Sequence, residues 1–197
     1  MVQMKAFSLI EMLVVVAVIA LLASMTLPAF HAVTSGVTLE RGGQDVASLL
    51  ALARENAIAK SRPVEIRLIK STSSSGQTVY RGVQPWIVKD DSGTLKPLGR
   101  LTWLPDAIAI TEKSQLSPLF GANVLTGSMS VAGSNCAYVS FGFRPNGSLV
   151  VGTNLISSTN SCLTVVAEKD LTLSGTPQNF YSIYINPTTG DVRTFRP

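Results

Sequence analysis

The chain has 197 residues, of which 46% are hydrophobic and only 14% charged, against about a quarter charged in an ordinary soluble domain. Its net charge of +4 is scattered: the densest basic group, Arg54, Lys60, Arg62, Arg67 and Lys70, is interrupted by Glu55 and Glu65, which describes a solvated face and not the tight basic stripe of a nucleic-acid groove. Two cysteines without a Cys-x-x-Cys and a single histidine, His31, supply too few ligands for a zinc site, so no metal or other cofactor is expected.

The first thirty residues carry only two charges, Lys5 and Glu11. Built as a helix at about 1.5 Å per residue, the apolar run from Phe7 to Pro28 reaches ~33 Å, enough to cross a hydrocarbon core of about 30 Å. Val14, Val15, Val16, Val18 and Ile19 are poor helix formers in water, but in lipid every backbone group must pair within its own segment. A cleaved secretory signal would need a small-x-small site after the apolar core, and LLASMTLP fits that poorly. An acid inside the run is costly, up to about 2.5–3.5 kcal/mol at the bilayer centre. Glu11 either snorkels to the headgroups or has a fixed cationic partner. A cut between Ala6 and Phe7 would create such a cation, since the new α-amino group of one copy can meet Glu11 of its neighbour when helices pack side by side.

These residues resemble the N-terminus of type IV prepilins. The stretch A|FSLIEMLVVVAVIALLASMTLP follows the pattern of a small residue, a cut, an N-methylated Phe, an apolar stretch, Glu at the fifth mature position and Pro at the twenty-second. Counted from Phe7, Glu11 and Pro28 hold those positions, while Ala6 stands where the family usually has Gly. The resemblance implies a leader over residues 1–6 removed by prepilin peptidase, methylation at Phe7, and a transmembrane and assembly helix over 7–30 embedded in inner-membrane lipid. It implies assembly through Phe7, Glu11 and Pro28 with other pilin or pseudopilin subunits.

Pro28 lies within a helical pattern and should kink or loosen it near Ser24. Over 31–62 the helix continues as an amphipathic extension: Leu39, Val46, Leu50, Ala53 and Ala57 form one stripe, widened by Leu49 and Ile58. Gly42 and Gly43 weaken its start and offer a break, and Pro63 ends it. From Pro63 the period becomes two. VEIRLI sets Val64, Ile66 and Leu68 on one side and Glu65, Arg67 and Ile69 on the other. STSSSGQT reads as a loop with a flexible tip, YRGVQPWIVKDDSG as a second strand ending in a turn at Asp90–Gly93, KPLGRLTWLP as a third strand or extended arm, and AIAIT as a short fourth. SQLSPLFGANVLTGSMSVAGSN is poorly periodic and reads as an irregular excursion. CAYVSFGF alternates well, RPNGSL supplies a hairpin turn, CLTVVAE and FYSIYIN are strands, and NPTTGD turns into VRTF. One long helix followed by many turn-connected strands is an α+β fold. Its N-terminal helix, membrane-spanning in its first half, packs on a mainly antiparallel head over 63–197.

The stretch VASLLALARENAIAKSRPVEIRL, with Leu49, Leu50, Ala53, Arg54, Ala57, Ile58, Val64 and Ile66, resembles the helix-to-strand junction of the H-type minor pseudopilins of type II secretion and of FimT-like minor pilins. FGFRPNGSL and IYINPTTGDVR are similar to that family's closing strands. RPVEIRL, YRGVQ, KPLGRLTWLPDAIAI and LSPLF are similar to the Verru_Chthon cassette protein D group. The resemblance implies a structural subunit of a type II secretion or type IV pilus-like filament, held in the bacterial inner membrane by a single span with its head in the periplasm.

A periplasmic head permits disulfides, and Cys136 and Cys162 each precede a strand. Either they form a bridge, worth roughly 3–4 kcal/mol for a loop of about 27 residues, or they are two separate thiols; neighbouring strand starts would favour the bridge. No Gly-x-Ser-x-Gly, Walker loop or His-Glu-x-x-His occurs, and a lone histidine leaves a Ser-His-Asp triad without a base, so no enzyme is expected. Two alternatives stay open. One is DNA capture by the C-terminal stretch with Arg193 and Arg196, where Asp191 replaces the first arginine of the FimT-like Gly-Arg-x-Arg pattern; nucleic acid is an improbable partner on that ground. The other is a membrane-anchored binding head.

Overall fold

A computed structural model describes residues 8–89, 93–121, 124–152, 154–155 and 161–197, without the side chains of 25–33 and 154–155. Helix α1 (Leu9–Ala59) leads into the strands β1 (Val64–Thr72), β2 (Thr78–Val88), β3 (Leu95–Pro97), β4 (Thr102–Trp103) and β5 (Ile108–Ile110). After a short 3-10 turn at Pro118–Gly121 come β6 (Leu125–Val131), β7 (Ser134–Phe143), β8 (Leu149–Val151), β9 (Asn154–Leu155), β10 (Cys162–Ala167), β11 (Phe180–Ile185) and β12 (Val192–Phe195). The chain divides into two compact units, Met1–Val37 and Thr38–Pro197, and α1 contributes to both.

Within the second unit, the helix meets the sheet through the stripe its periodicity predicts. Leu39, Val46, Leu50, Ala53 and Ala57 are all 2% exposed or less. Burying each large member is worth about 1.5–3 kcal/mol, which explains why this face and not helix propensity fixes the segment. Leu49 is packed against the core, but Ile58 is exposed and does not extend the stripe. The helix does not break at Gly42 and Gly43. Both are buried, because the missing side chains let the backbone approach the sheet: a Cβ on Gly43 would lie 2.2 Å from the Tyr181 ring, and one on Gly42 would lie 3.2 Å from Ile108 Cγ2. Nor does the backbone break at Pro28. At its C-terminus, Ser61 takes a left-handed φ of 49°, with Ser61 N–H donating to Ile58 O and Arg62 N–H to Ala57 O. That pair of bonds satisfies two of the last-turn carbonyls, and Pro63 prevents further turns.

The twelve strands among the described residues join one sheet in the order β12-β11-β10-β5-β2-β1-β7-β8-β9, with β3 and β4 added on β2 and β6 added on β7. Every pairing is antiparallel. The alternation in VEIRL holds: Val64, Ile66 and Leu68 enter the core opposite Phe143, Phe141 and Val139 of β7, and Glu65 and Arg67 take the other face. Ile69 shares that other face yet is fully buried. It is covered there because Leu101 and Trp103, flanking and forming β4, close over Gly82 beside it. β1 and β2 slip by one residue between Ile69 and Lys70, which leaves Arg81 as the extra residue of a bulge.

Three segments depart from expectation. The excursion read as irregular contains a seven-residue strand, β6, paired in continuous register with β7 across a two-residue turn at Ala132 and Gly133, both at positive φ. The third strand or arm is two short strands, β3 and β4, separated by Leu98–Leu101. The Asp90–Gly93 turn lies largely outside the described residues, and β2 ends at Val88. The Asn-Gly turn and the strands after it form as predicted, with Phe143 opposite Leu149.

Candidate functional site

The candidate site is the N-terminal stem. Ala6 and Phe7 lie outside the described residues, and so does the side chain of Pro28. Glu11 sits in the first turn of α1, where its N–H and that of Met12 both donate to Ser8 O. Around it the helix has no polar face. Leu9, Ile10, Met12, Leu13, Val14, Val15, Val16, Val18, Ile19, Leu21 and Leu22 are all exposed, from 45% at Val15 to 84% at Leu9. A helix apolar on every side belongs in a surrounding apolar medium, either lipid or a bundle of like helices. The span expected from Phe7 to Pro28 runs past the residues with described side chains at both ends, and among the described residues no helix is long and apolar enough to cross a membrane.

The head offers no comparable concentration of chemistry. The two cysteines are free thiols. The expected bridge is absent because β5, β2 and β1 separate β10 from β7 in the sheet, so the two strand starts are not neighbours. Burial pushes the Cys162 thiol pKa up, against hydrogen bonding by Thr164, Ser182 and the Ile183 backbone. The C-terminal arginines do not combine into a basic surface. Arg193 Nε lies 3.4 Å from Asp191 Oδ2, and Arg196 Nη1 lies 2.6 Å from Glu40 Oε2 on α1. An open depression of about 230 Å³ is lined by Gln77, Thr78, Thr111, Glu112 and Lys113 among others, with Lys70 ion-paired to Glu112 at 2.7 Å. Among the described residues no group of three His, Cys, Asp or Glu is placed to hold a metal ion.

Two polar clusters went unread in the sequence. In the first, the guanidinium of Arg67 is stacked between Trp86 (4.2 Å) and Tyr138 (4.5 Å) while Nε donates to Glu65 Oε1 at 2.8 Å. The alternation in VEIRL puts Glu65 and Arg67 on one face, but their aromatic partners come from β2 and β7, which only strand pairing brings together. In the second, the serine-rich loop is not a free tip. The hydroxyls of Ser73 and Ser75 both donate to Glu168 Oε1 in the 3-10 turn at Glu168–Asp170, and those bonds hold the Glu168 carboxyl below the usual carboxylate range, assisted by the Arg81 charge. Arg81 itself is buried by the bulge and bonds Leu104 O and Asp106 Oδ1. These groups tie loops together, although Arg81 Nε and Trp86 Nε1 are buried without a hydrogen-bond partner among the described residues.

Residues 1–27 match the family described as the prokaryotic N-terminal methylation motif. No curated protein sequence matches the chain. Among solved structures it is similar to the minor pseudopilin EpsH of the type 2 secretion system of Vibrio cholerae, at 12% identity and a TM-score of 0.46 over 81% of this chain and 97% of that one. A second EpsH structure gives 11% identity and a TM-score of 0.48 over 82% and 96%. The type IV minor pilin FimU of Pseudomonas aeruginosa gives 15% identity and a TM-score of 0.46 over 81% and 92%. The chain thus carries the prokaryotic N-terminal methylation motif over its first 27 residues.

Proposed function

We propose that this protein is a minor pilin- or pseudopilin-like structural subunit. Prepilin peptidase removes residues 1–6 between Ala6 and Phe7, and the new amine is methylated. The helix over 7–30 then holds the precursor in the inner membrane with the head in the periplasm, until it joins a type II secretion or type IV pilus-like filament. The carrying observation is the stem: a helix apolar on all sides whose one carboxylate, Glu11, stands in the first turn within the matched methylation motif. In a bundle of such stems the Phe7 amine of one subunit neutralises Glu11 of the next. That pairing offsets the cost of burying the acid and selects one axial register over others.

Replacing Glu11 with Leu keeps the helix apolar and removes the partner of the amine. The variant is expected to be processed and to stay in the membrane, but to be lost from the sheared filament fraction. Incorporation at the level of the unaltered chain would overturn the assembly role. A mature N-terminus beginning at Met1 by mass spectrometry would overturn processing. Nucleic-acid capture receives no support from the geometry, because Arg193 and Arg196 each lie against a carboxylate.

A further inference from the structure

The edges of the sheet are not treated alike. Among the described residues β6 pairs only with β7, leaving its other edge with unpaired backbone groups. Exposed edges invite another strand, and proteins blunt them with charges, prolines, bulges or short length. β3 carries Lys96 and Pro97, and β12 carries Arg193. β6, LTGSMSV, is seven residues long, has none of these devices and pairs with β7 without a register slip. No Asp, Glu, Lys, Arg or His occurs anywhere between Lys113 and Arg144.

The strand is also chemically near-symmetric about its middle residue. Ser128 is the centre; the hydroxyls of Thr126 and Ser130 match and the aliphatic Leu125 and Val131 match, while Gly127 and Met129 are the one unlike pair. The odd positions share the face that carries Tyr138 and Cys136 on β7, and the even positions carry only hydroxyls. Laid antiparallel against its own copy with Ser128 on a two-fold axis, β6 sets hydroxyl against hydroxyl and Leu125 against Val131 of the second copy, and it sets Met129 beside Gly127, over which the Tyr138 ring lies. Matched cross-strand pairs of this kind stabilise a sheet, and no like charges oppose each other.

From this we propose that β6 is a self-pairing edge, through which two copies of the chain join their sheets into one continuous antiparallel sheet. The inference does not rest on the filament reading, since edge pairing requires neither processing nor Glu11. Two seven-residue strands bury less than the ~1,200–2,000 Å² of a stable interface, so the contact is weak in dilute solution and strengthens where copies share one membrane or micelle.

The test uses the full chain in detergent. Ser128→Cys, mildly oxidised, is expected to give a homodimer whose cross-linked peptide joins position 128 of one copy to position 128 of the other. The exposed control Ser174→Cys should give none. In parallel, Ser128→Lys places two like charges on the axis and should weaken self-association about fivefold or more by analytical ultracentrifugation, with unchanged circular dichroism. Cross-linking at Ser128 no greater than at Ser174, a cross-link to a chain of different mass, or unchanged association of Ser128→Lys would each overturn the proposal.

Discussion

Replacing Gly43 with Ala tests how α1 is held on the sheet. On helix propensity alone the change is favourable by about 0.8–1 kcal/mol. The packing says otherwise. The new methyl would sit 2.2, 2.3 and 2.7 Å from Cδ1, Cγ and Cε1 of Tyr181, and two of those atoms lie at the root of a buried ring and not at a flexible end. Relief requires moving β11 or lifting the helix, and overpacking of this kind costs about 1–3 kcal/mol or more. The two terms oppose, leaving a net loss of up to about 2 kcal/mol, which for a head of this size lowers Tm by about 4–8 °C at the upper end. Gly42→Ala is the internal control: its nearest neighbour, Ile108 Cγ2, lies at 3.2 Å and needs to yield only a few tenths of an ångström, so the propensity gain should survive. Thermal unfolding of the head (residues 38–197) followed by circular dichroism measures both. A second substitution, Tyr181→Leu, should remove most of the penalty of Gly43→Ala in a double-mutant cycle. If Gly43→Ala proves as stable as the unaltered head, α1 does not approach β11 through that glycine and the packing argument fails.

Two further outcomes follow from the buried polar groups. The folded state holds the Glu168 carboxyl below its ordinary range through Ser73 and Ser75, so its stabilisation is full above the unfolded carboxylate pKa and is lost as pH falls through the folded one. Glu168→Gln should therefore cost about 1 kcal/mol near neutrality and flatten the acid limb of a urea-denaturation stability profile; an unaltered acid limb would contradict the assignment. Tyr80, buried and facing Glu112, has its phenol pushed up to about 12, so stability associated with it falls as pH rises from about 10 through 12. Ultraviolet titration of Tyr80→Phe should lack that highest ionisation step, and its persistence would show that another tyrosine supplies it.

What the sequence disclosed is what local chemistry controls. The stripe of Leu39, Val46, Leu50, Ala53 and Ala57 is visible because a helix repeats every 3.6 residues, and VEIRL because a strand repeats every two. The Asn146–Gly147 turn is visible because Gly147 takes a left-handed φ of 84°. The failures have a common cause in contacts between residues far apart in the chain. Gly42 and Gly43 look like a break until Ile108 and Tyr181 arrive against them. LTGSMSV has too few large apolar residues to announce a strand, and becomes one because β7 supplies its partners. STSSSG looks like a loose tip until Glu168 accepts from two of its hydroxyls. Cys136 and Cys162 both precede strands, but strand order in a sheet is not sequence order.

The stem differs from the head in kind, and the reason is physical. In the head each residue's environment is decided by what folds onto it, so exposure varies from one residue to the next along α1 between Leu39 and Ala59. Between Leu9 and Leu22 every large apolar residue is exposed within its own chain, so nothing in the fold supplies context. On the proposed reading the surroundings of that segment are lipid or the stems of other subunits, and its sequence carries the specification for meeting them. That reading makes Glu11, the one charged position between Leu9 and Leu22, the residue through which assembly is best tested. Glu11→Asp sharpens the point. It keeps the charge but shortens the side chain by one methylene, so if a neighbouring amine is the partner, incorporation should fall without vanishing, whereas a purely interfacial carboxylate would tolerate the change.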